Sequence, residues 1–265
     1  MSVTILFIGD VVGKPGRRIL RETLPRLIVK YQVDLVVANG ENASGGIGIT
    51  VKGAEELFSS GVQVLTSGNH IWKKKEIQEY IEQNPNLIRP ANFPPGTPGQ
   101  GSVIMETASG VKVGIINLLG RTFMEAVDCP FRKGLEVWEA MVRKAPIRLV
   151  DFHAEATSEK VALGWFLDGK VSAVLGTHTH IQTSDERVLP LGTAYMTDVG
   201  MTGPADSVIG VKKELAIHRF LTQLPNKFEV AKRELVLEGA VVTIDPETGR
   251  ATGITRIRER GPAYS

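Results

Sequence analysis

Val171–Thr183 reads VSAVLGTHTHIQT. Its apolar run, Val171–Leu175, is closed by Gly176 and followed at once by His178 and His180, the pattern of a buried strand ending in a polar loop. In extended backbone an i, i+2 pair leaves the same side of the strand, so this spacing predicts two imidazoles aimed at one place. The chain has five histidines, and two of them stand here. Taken alone, the pair is also explained as solvated loop histidines, so its meaning depends on what converges with it.

Working outward, the N-terminal part alternates strand and helix. Val3–Ile8 is a short apolar run bounded by Gly9-Asp10. Arg17–Lys30 carries Ile19, Leu20, Leu24, Leu27 and Ile28 at helical spacing, and Pro25 inside it predicts a kink or an early break. Val33–Ala38 ends at Asn39-Gly40-Glu41-Asn42, Val51–Ser60 reads as a helix, Val62–Thr66 ends at Ser67-Gly68-Asn69-His70, and Lys74–Gln83 is again helical. This order predicts a parallel sheet with right-handed crossovers. Residues 84–101 are dense in Pro and Gly and read as a long surface loop. Ser102–Glu106 and Val111–Asn117 read as a hairpin.

Residues 121–133 have no clean periodicity. With Phe123, Met124 and Phe131 around Cys129-Pro130, they are a candidate lid or interface loop as well as a plain connection. Leu135–Lys144 is a predicted helix, Ile147–Phe152 a strand ending at His153, and Thr157–Asp168 an amphipathic helix. After the opening stretch come short strands at Glu186–Leu189 and Thr193–Thr197 and a helix at Lys212–Leu224. Phe228–Ile244 and Gly253–Arg258 are β-rich around the turn Asp245–Gly249. No repeat or linker divides the sequence, so residues 1–265 are read as a single α/β domain.

At 265 residues, with 42% apolar and 23% charged residues, the chain is long enough to bury a sizeable core. A net charge of +2 without a basic stripe argues against long nucleic acids. The single cysteine excludes an intramolecular disulfide and fits a reducing compartment. The N-terminus lacks a signal-peptide pattern and no apolar run approaches a membrane span, so a cytoplasmic, soluble protein is expected.

Immediately after the predicted strands stand Asp10, Glu41 and Asn42, Asn69 and His70, His153, and His178 and His180. Ligands of open α/β sheets bind outside the carboxyl ends of the strands. Each residue alone has a plainer explanation: Asp10 and Asn69 as turn or cap residues, His153 as a satisfied core histidine. Collected at one sheet edge, they point to a shared binuclear metal site. Imidazole, carboxylate and amide oxygen together suit iron, manganese or zinc, and a central Glu41 could bridge two cations. Two such ions activate water for in-line displacement at phosphorus, and His70, next to Asn69, is placed to protonate the leaving alkoxide. The fifth histidine, His218, lies mid-helix and reads as a surface residue. Gly9–Pro15 is not a Walker loop, because Pro15 stands where a Ser or Thr is needed. Nor is there a Gly-x-Ser-x-Gly elbow.

These blocks resemble the calcineurin-like metallophosphoesterases: Gly9-Asp10, Gly40-Glu41-Asn42, Gly68-Asn69-His70, His153 and Gly176-Thr177-His178-Thr179-His180. The resemblance is closest to the YmdB group, bacterial cyclic-nucleotide phosphodiesterases, and extends to Asp198–Gly203. It implies a four-layer αββα sandwich of two mostly parallel or mixed sheets flanked by helices. It implies Asp10, Glu41, Asn42 and His180 around one metal; Glu41, Asn69, His153 and His178 around the other; and His70 as general acid. The implied cofactors are two divalent or trivalent transition-metal ions, iron first, with manganese or zinc as alternatives.

Three departures from the wider superfamily stand out. The usual Asp-x-His is Asp10-Val11-Val12, the second block carries Glu41 in place of Asp, and Ile71 follows Asn69-His70 where an acid is usual. His70 therefore needs its partner from elsewhere. The expected activity is hydrolysis of 2′,3′-cyclic nucleotides or similar small phosphodiesters. Alternatives on the same residues are a phosphomonoesterase, a nuclease, or a non-catalytic scaffold that binds a nucleotide or protein. Arg121 is a candidate phosphate contact, with a structural salt bridge as the competing explanation. No membrane partner is expected, and a homo-oligomer is left open.

Overall fold

Every residue of β1 (Val3–Ile8) except Thr4 is buried, because each of its faces meets a different core. Leu6 and Ile8 point into one apolar cluster, Ile5 and Phe7 into another. A strand covered on both sides must read as a continuous apolar run rather than an alternating one. The computed structural model describes residues 2–261.

After β1 come β2 (Asp10–Val11), α1 (Gly13–Tyr31), β3 (Leu35–Asn39), α2 (Val51–Ser59) and β4 (Val64–Thr66). A 3-10 turn, Ile71–Lys73, leads to α3 (Ile77–Gln83), β5 (Ser102–Glu106), β6 (Lys112–Leu119), α4 (Pro130–Met141) and β7 (Ile147–His153). The chain continues through α5 (Thr157–Phe166), β8 (Ala173–Thr177), β9 (Arg187–Val188), β10 (Ala194–Met196) and β11 (Met201–Pro204). It closes with α6 (Lys213–Thr222), β12 (Leu235–Ile244) and β13 (Ala251–Arg260).

The strands form two sheets. The seven-stranded sheet runs β2-β11-β12-β1-β3-β4 with β13 on β12, and the six-stranded sheet runs β5-β6-β7-β8-β10-β9. Three apolar clusters separate four layers. One packs the first sheet against α1 and α2, one fills the space between the sheets, and one packs the second sheet against α5 and the end of α4. The expected αββα sandwich is the observed architecture. The purely parallel pattern of the N-terminal half is not: β12 is antiparallel to β1, β11 and β13, and β5 is antiparallel to β6. β5–β6 and β12–β13 are joined by short turns, a connection that forces antiparallel pairing.

Other expectations shift in detail. α1 begins at Gly13 rather than Arg17, with Pro15 in its first turn, and continues through Pro25 without a break. Pro25 and Arg21 are both exposed, so water takes the carbonyl that proline cannot bond. The 84–101 loop is not wholly superficial. Leu87, Ile88 and Asn92 are buried, and Leu65 exchanges backbone hydrogen bonds with Asn86 and Ile88, covering the open edge of β4. Among the described residues no helix is long and apolar enough to cross a membrane.

Candidate metal centre

The five strand ends expected at one edge in fact come from two sheets. β1, β3 and β4 are parallel neighbours in one, so Asp10, Glu41 and Asn69 leave the same edge. β7 and β8 are parallel neighbours in the other, with His153 opposite Thr177. The site is the seam where the two carboxyl edges meet.

His178 and His180 do not extend the strand. β8 ends at Thr177, and both histidines have positive φ, 99° and 64°. Left-handed backbone is uncommon for such side chains and persists only where surroundings over-determine it. Here buried Asp198 accepts from the Thr179 amide at 3.1 Å and its hydroxyl at 2.8 Å, and from Gly200 N at 2.9 Å. Asp198 is itself paired with buried Lys160 at 2.7 Å, and the His178 amide donates to Asp10 Oδ2 at 3.1 Å. The two rings consequently reach different partners instead of pointing in parallel.

Each of these histidines, and His153, has one ring nitrogen facing outward to an acceptor. The Thr177 hydroxyl donates to Asp151 Oδ1 at 2.7 Å, so at 2.9 Å from His153 Nδ1 it accepts from the ring. His178 Nε2 lies 3.1 Å from Glu155 Oε2, and His180 Nδ1 lies 3.0 Å from the Ile209 carbonyl. That leaves His153 Nε2, His178 Nδ1 and His180 Nε2 turned inward, the arrangement by which outer partners select the ligating nitrogen. Inward they meet two fully buried carboxylates. Glu41 Oε1 is 3.1 Å from His153 Nε2, and Asp10 Oδ1 is 3.6 Å from His180 Nε2. Ligand atoms of Glu41, His153 and His178 all lie within 4.8 Å of one another.

The electrostatics follow from that enclosure. Burial alone would raise the Glu41 carboxyl, yet the neighbouring His153 and His70 hold it well below its ordinary value. Burial opposes charge on His153 and His180, but Glu41 brings the first up to about 9 and Asp10 the second up to about 8. Burial and the adjacent His153 push His178 down to about 3, which leaves it neutral, the form that ligates metal. The two buried carboxylates need positive charge beside them, which the ring protons of His153 and His180 supply and which metal ions taking the place of those protons would supply equally.

Asn69 supplies a further test of fit. Its Nδ2 donates to Glu125 at 3.3 Å, while its Oδ1 is buried with no hydrogen-bond partner; an orphaned amide oxygen at this depth suits a hard cation. Gly68 serves the same cluster, because a Cβ there would overlap the His153 ring and the Glu41 carboxylate. Asn42 is oriented differently from expectation. Its amide nitrogen faces Glu41 Oε1 at 3.1 Å and His180 Nε2 at 3.2 Å, and its oxygen faces His70 Nδ1 at 2.8 Å. To ligate through oxygen the amide would have to turn over. The partner that Ile71 cannot give His70 is thus Asn42, with Glu41 Oε1 at 3.2 Å beside it. The His70 amide also donates to Glu41 Oε2 at 3.0 Å, and the ring keeps solvent contact.

Arg121 stands apart from this cluster. It is exposed, its amide donates to Glu159, and its side chain has no ion-pair partner among the described residues, so the structural salt bridge is not formed. It follows Gly120, whose amide donates to the His153 carbonyl at 2.9 Å. In the 121–133 segment Phe123 is 89% exposed with φ of 62°, and α4 already begins at Pro130. Sequence reading assigned no role to Asn39, Asp151, Thr177 and Asp198, buried polar residues within or beside strands, or to Lys160, buried in α5. Their signal is only that a polar side chain interrupts an apolar run.

A family profile described as YmdB-like protein matches residues 6–257. The chain is a member of the YmdB-like family. Over 253 residues it is 52% identical to the 2′,3′-cyclic-nucleotide 2′-phosphodiesterase of Bacillus subtilis (strain 168), covering 96% of each chain. Among solved structures, this YmdB-like chain superposes with TM-score 0.92 on a hypothetical protein from Thermus thermophilus, 42% identical, covering 98% of this chain and 100% of that one. It matches with the same TM-score a novel phosphatase from Mycoplasma pneumoniae, 38% identical, covering 98% of this chain and 94% of the other. The family expected from the GNH and GTHTH blocks is the family found.

Proposed function

We propose that this chain is a metal-dependent phosphodiesterase that hydrolyses 2′,3′-cyclic nucleotides. The observation that carries the reading is the set of three inward ring nitrogens around two buried carboxylates, Glu41 and Asp10. The 52% identical Bacillus phosphodiesterase supports the substrate class. Asp10, Glu41, Asn69, His153, His178 and His180 would hold two transition-metal ions, with iron, manganese or zinc matching the mixed donor set. Bound there, such ions supply Lewis-acid activation of water and neutralise phosphate charge.

The remaining chemistry belongs to the chain. Asn42 and Glu41 engage His70 Nδ1, which leaves Nε2 as the nitrogen that delivers a proton. As water forms its bond to phosphorus, its displaced proton passing to solvent, and the P–O2′ bond breaks, His70 Nε2–H protonates the departing ribose oxygen; the ring then regains a proton from solvent. Arg121, exposed and without an ion-pair partner among the described residues, would reach in from beside the cluster to meet the phosphate, and the 121–133 segment would cover it. The single cysteine suits a reducing cytoplasm.

The test joins elemental analysis with a substrate screen. Activity on 2′,3′-cyclic nucleotides should exceed that on 3′,5′-cyclic nucleotides, phosphomonoesters and short RNA; turnover of monoesters alone would overturn the reading. His70→Ala should lose about 10²–10⁴-fold on cyclic nucleotides, whose alkoxide needs a proton, and little on nitrophenyl diesters. Equal losses on both would remove His70 as the acid.

A further inference from the structure

His180 stands between the carboxylate cluster and a cavity of about 430 Å³ that it helps to line. Its Nε2 faces Asp10 Oδ1 at 3.6 Å, and its Nδ1 faces the carbonyl of Ile209, a residue of the cavity wall, at 3.0 Å. Cluster and cavity are therefore one imidazole ring apart.

The wall has two characters. Ile181, Met201 and Ile209 give it an apolar lining, and Ile181 and Ile209 stay 61% and 47% exposed beside a centre built of charged groups. Glu238 on β12 and Arg258 on β13, which face each other across the two strands, add a carboxylate and a guanidinium, Oε1 to Nε 3.0 Å. A largely apolar concavity with a few placed polar groups is the usual form of a small-molecule site.

The loop after β11, which builds one side, is firmly braced. Ile209 is β-branched yet has φ of 46°, a backbone state that persists only where the surroundings over-determine it. Ser207 Oγ donates to the Pro204 carbonyl at 2.6 Å and accepts from the Gly210 amide at 2.8 Å. Val208 and Val211 exchange backbone bonds at 2.9 Å, and a Cβ on Gly210 would meet Val12. A wall already fixed in this way loses little freedom on binding.

We propose that this cavity receives the base of the cyclic nucleotide, with Ile181 and Ile209 against the ring and the Glu238–Arg258 pair at its edge. The inference rests on the reading of the centre as a cyclic-nucleotide phosphodiesterase and gives that substrate a second point of attachment. In a 2′,3′-cyclic nucleotide one ribose ring separates phosphorus from base, matching the single imidazole between cluster and cavity. A base edge carries donors and acceptors side by side, and an adjacent guanidinium and carboxylate complement both. The Glu238 carboxylate would repel a second phosphate, and the apolar lining suits a flat neutral ring.

Kinetics on 2′,3′-cyclic AMP should be compared with those on methyl ribofuranoside 2,3-cyclic phosphate, which keeps the reacting ring and lacks the base. In the wild type kcat/KM should be about 20-fold higher for the nucleotide, chiefly through KM. Ala205→Trp, which brings an indole into the cavity from an exposed position on its wall, should cut that ratio about 10-fold. Ile181→Asp should do the same, so a folding failure in one variant leaves the other. Adenosine, which has no phosphate, should saturate the full chain in a calorimetric titration at roughly millimolar concentration and bind either variant about 10-fold more weakly. Adenosine binding that the variants weaken, in a chain that turns over no cyclic nucleotide, would remove the phosphodiesterase reading and uphold the base site. Equal efficiency on the nucleotide and its baseless analogue, with no adenosine binding, would overturn the base site and leave the phosphodiesterase reading in place. Variants that keep the wild-type ratio would overturn the base site as well.

Discussion

His153, His178 and His180 each face two ways, and the outward contact decides what the inward nitrogen can do. The clearest case is His153, whose Nδ1–H is taken by Thr177 because that hydroxyl spends its proton on Asp151. Thr177→Val keeps the shape and removes the acceptor. Metal affinity should fall about 10–100-fold with the fold intact, as read by competition against a chelator. Replacement by Ser should restore it. The inward half of this arrangement was legible, since histidines and carboxylates after strands are conspicuous. The outward half was not. Thr177 and Asp151 look like interruptions of apolar runs, and only the register of β7 against β8 brings them together.

Among the elements, α1 shows where local rules bend. Pro25 predicts a kink or break, yet the helix passes through it because both proline and the orphaned Arg21 carbonyl face water. Pro25→Ala should therefore stabilise the chain by about 1–3 kcal/mol, measured by urea unfolding. The loop from β8 to β10 is pinned by Asp185, which accepts from the hydroxyls of Thr183 and Thr197 and from the Thr197 amide. Burial would raise this carboxyl, but those donors hold it below its ordinary 3.8. Its contribution is present above pH 3.8 and is lost as pH falls through the depressed folded value. Asp185→Asn should cost about 1–2 kcal/mol at pH 7, and the gap from wild type should close on acidification below that range. Long periodic elements were legible to within a few residues. β2 and β11 were not, because two- and four-residue strands carry no period, and they exist through pairing with each other and with β12.

At the scale of the whole molecule, the site spans two sheets, so the proposed ligands, drawn from both, would act as a clasp between them. A bound ion stabilises the folded chain by mass action. Chelation should lower the thermal midpoint of wild type, while Glu41→Gln, unable to retain metal, should show a low midpoint that chelator no longer moves. The α/β class and the two-sheet architecture were legible, the first from alternation and the second from the family blocks. Alternation alone pointed to one parallel sheet edge, because it cannot count sheets. The topology also imposes an order in time. β1, the first strand of the chain, has β12 as one of its two neighbours, Val3 lying opposite Ile244. On a ribosome β1 must wait for β12 to emerge before that edge is sealed. Such long sequence separation slows folding. In the proposed site Asp10 directly follows β1, so the ligand sphere it would join closes only once the distant β12 has paired, and metal capture would follow that pairing rather than precede it.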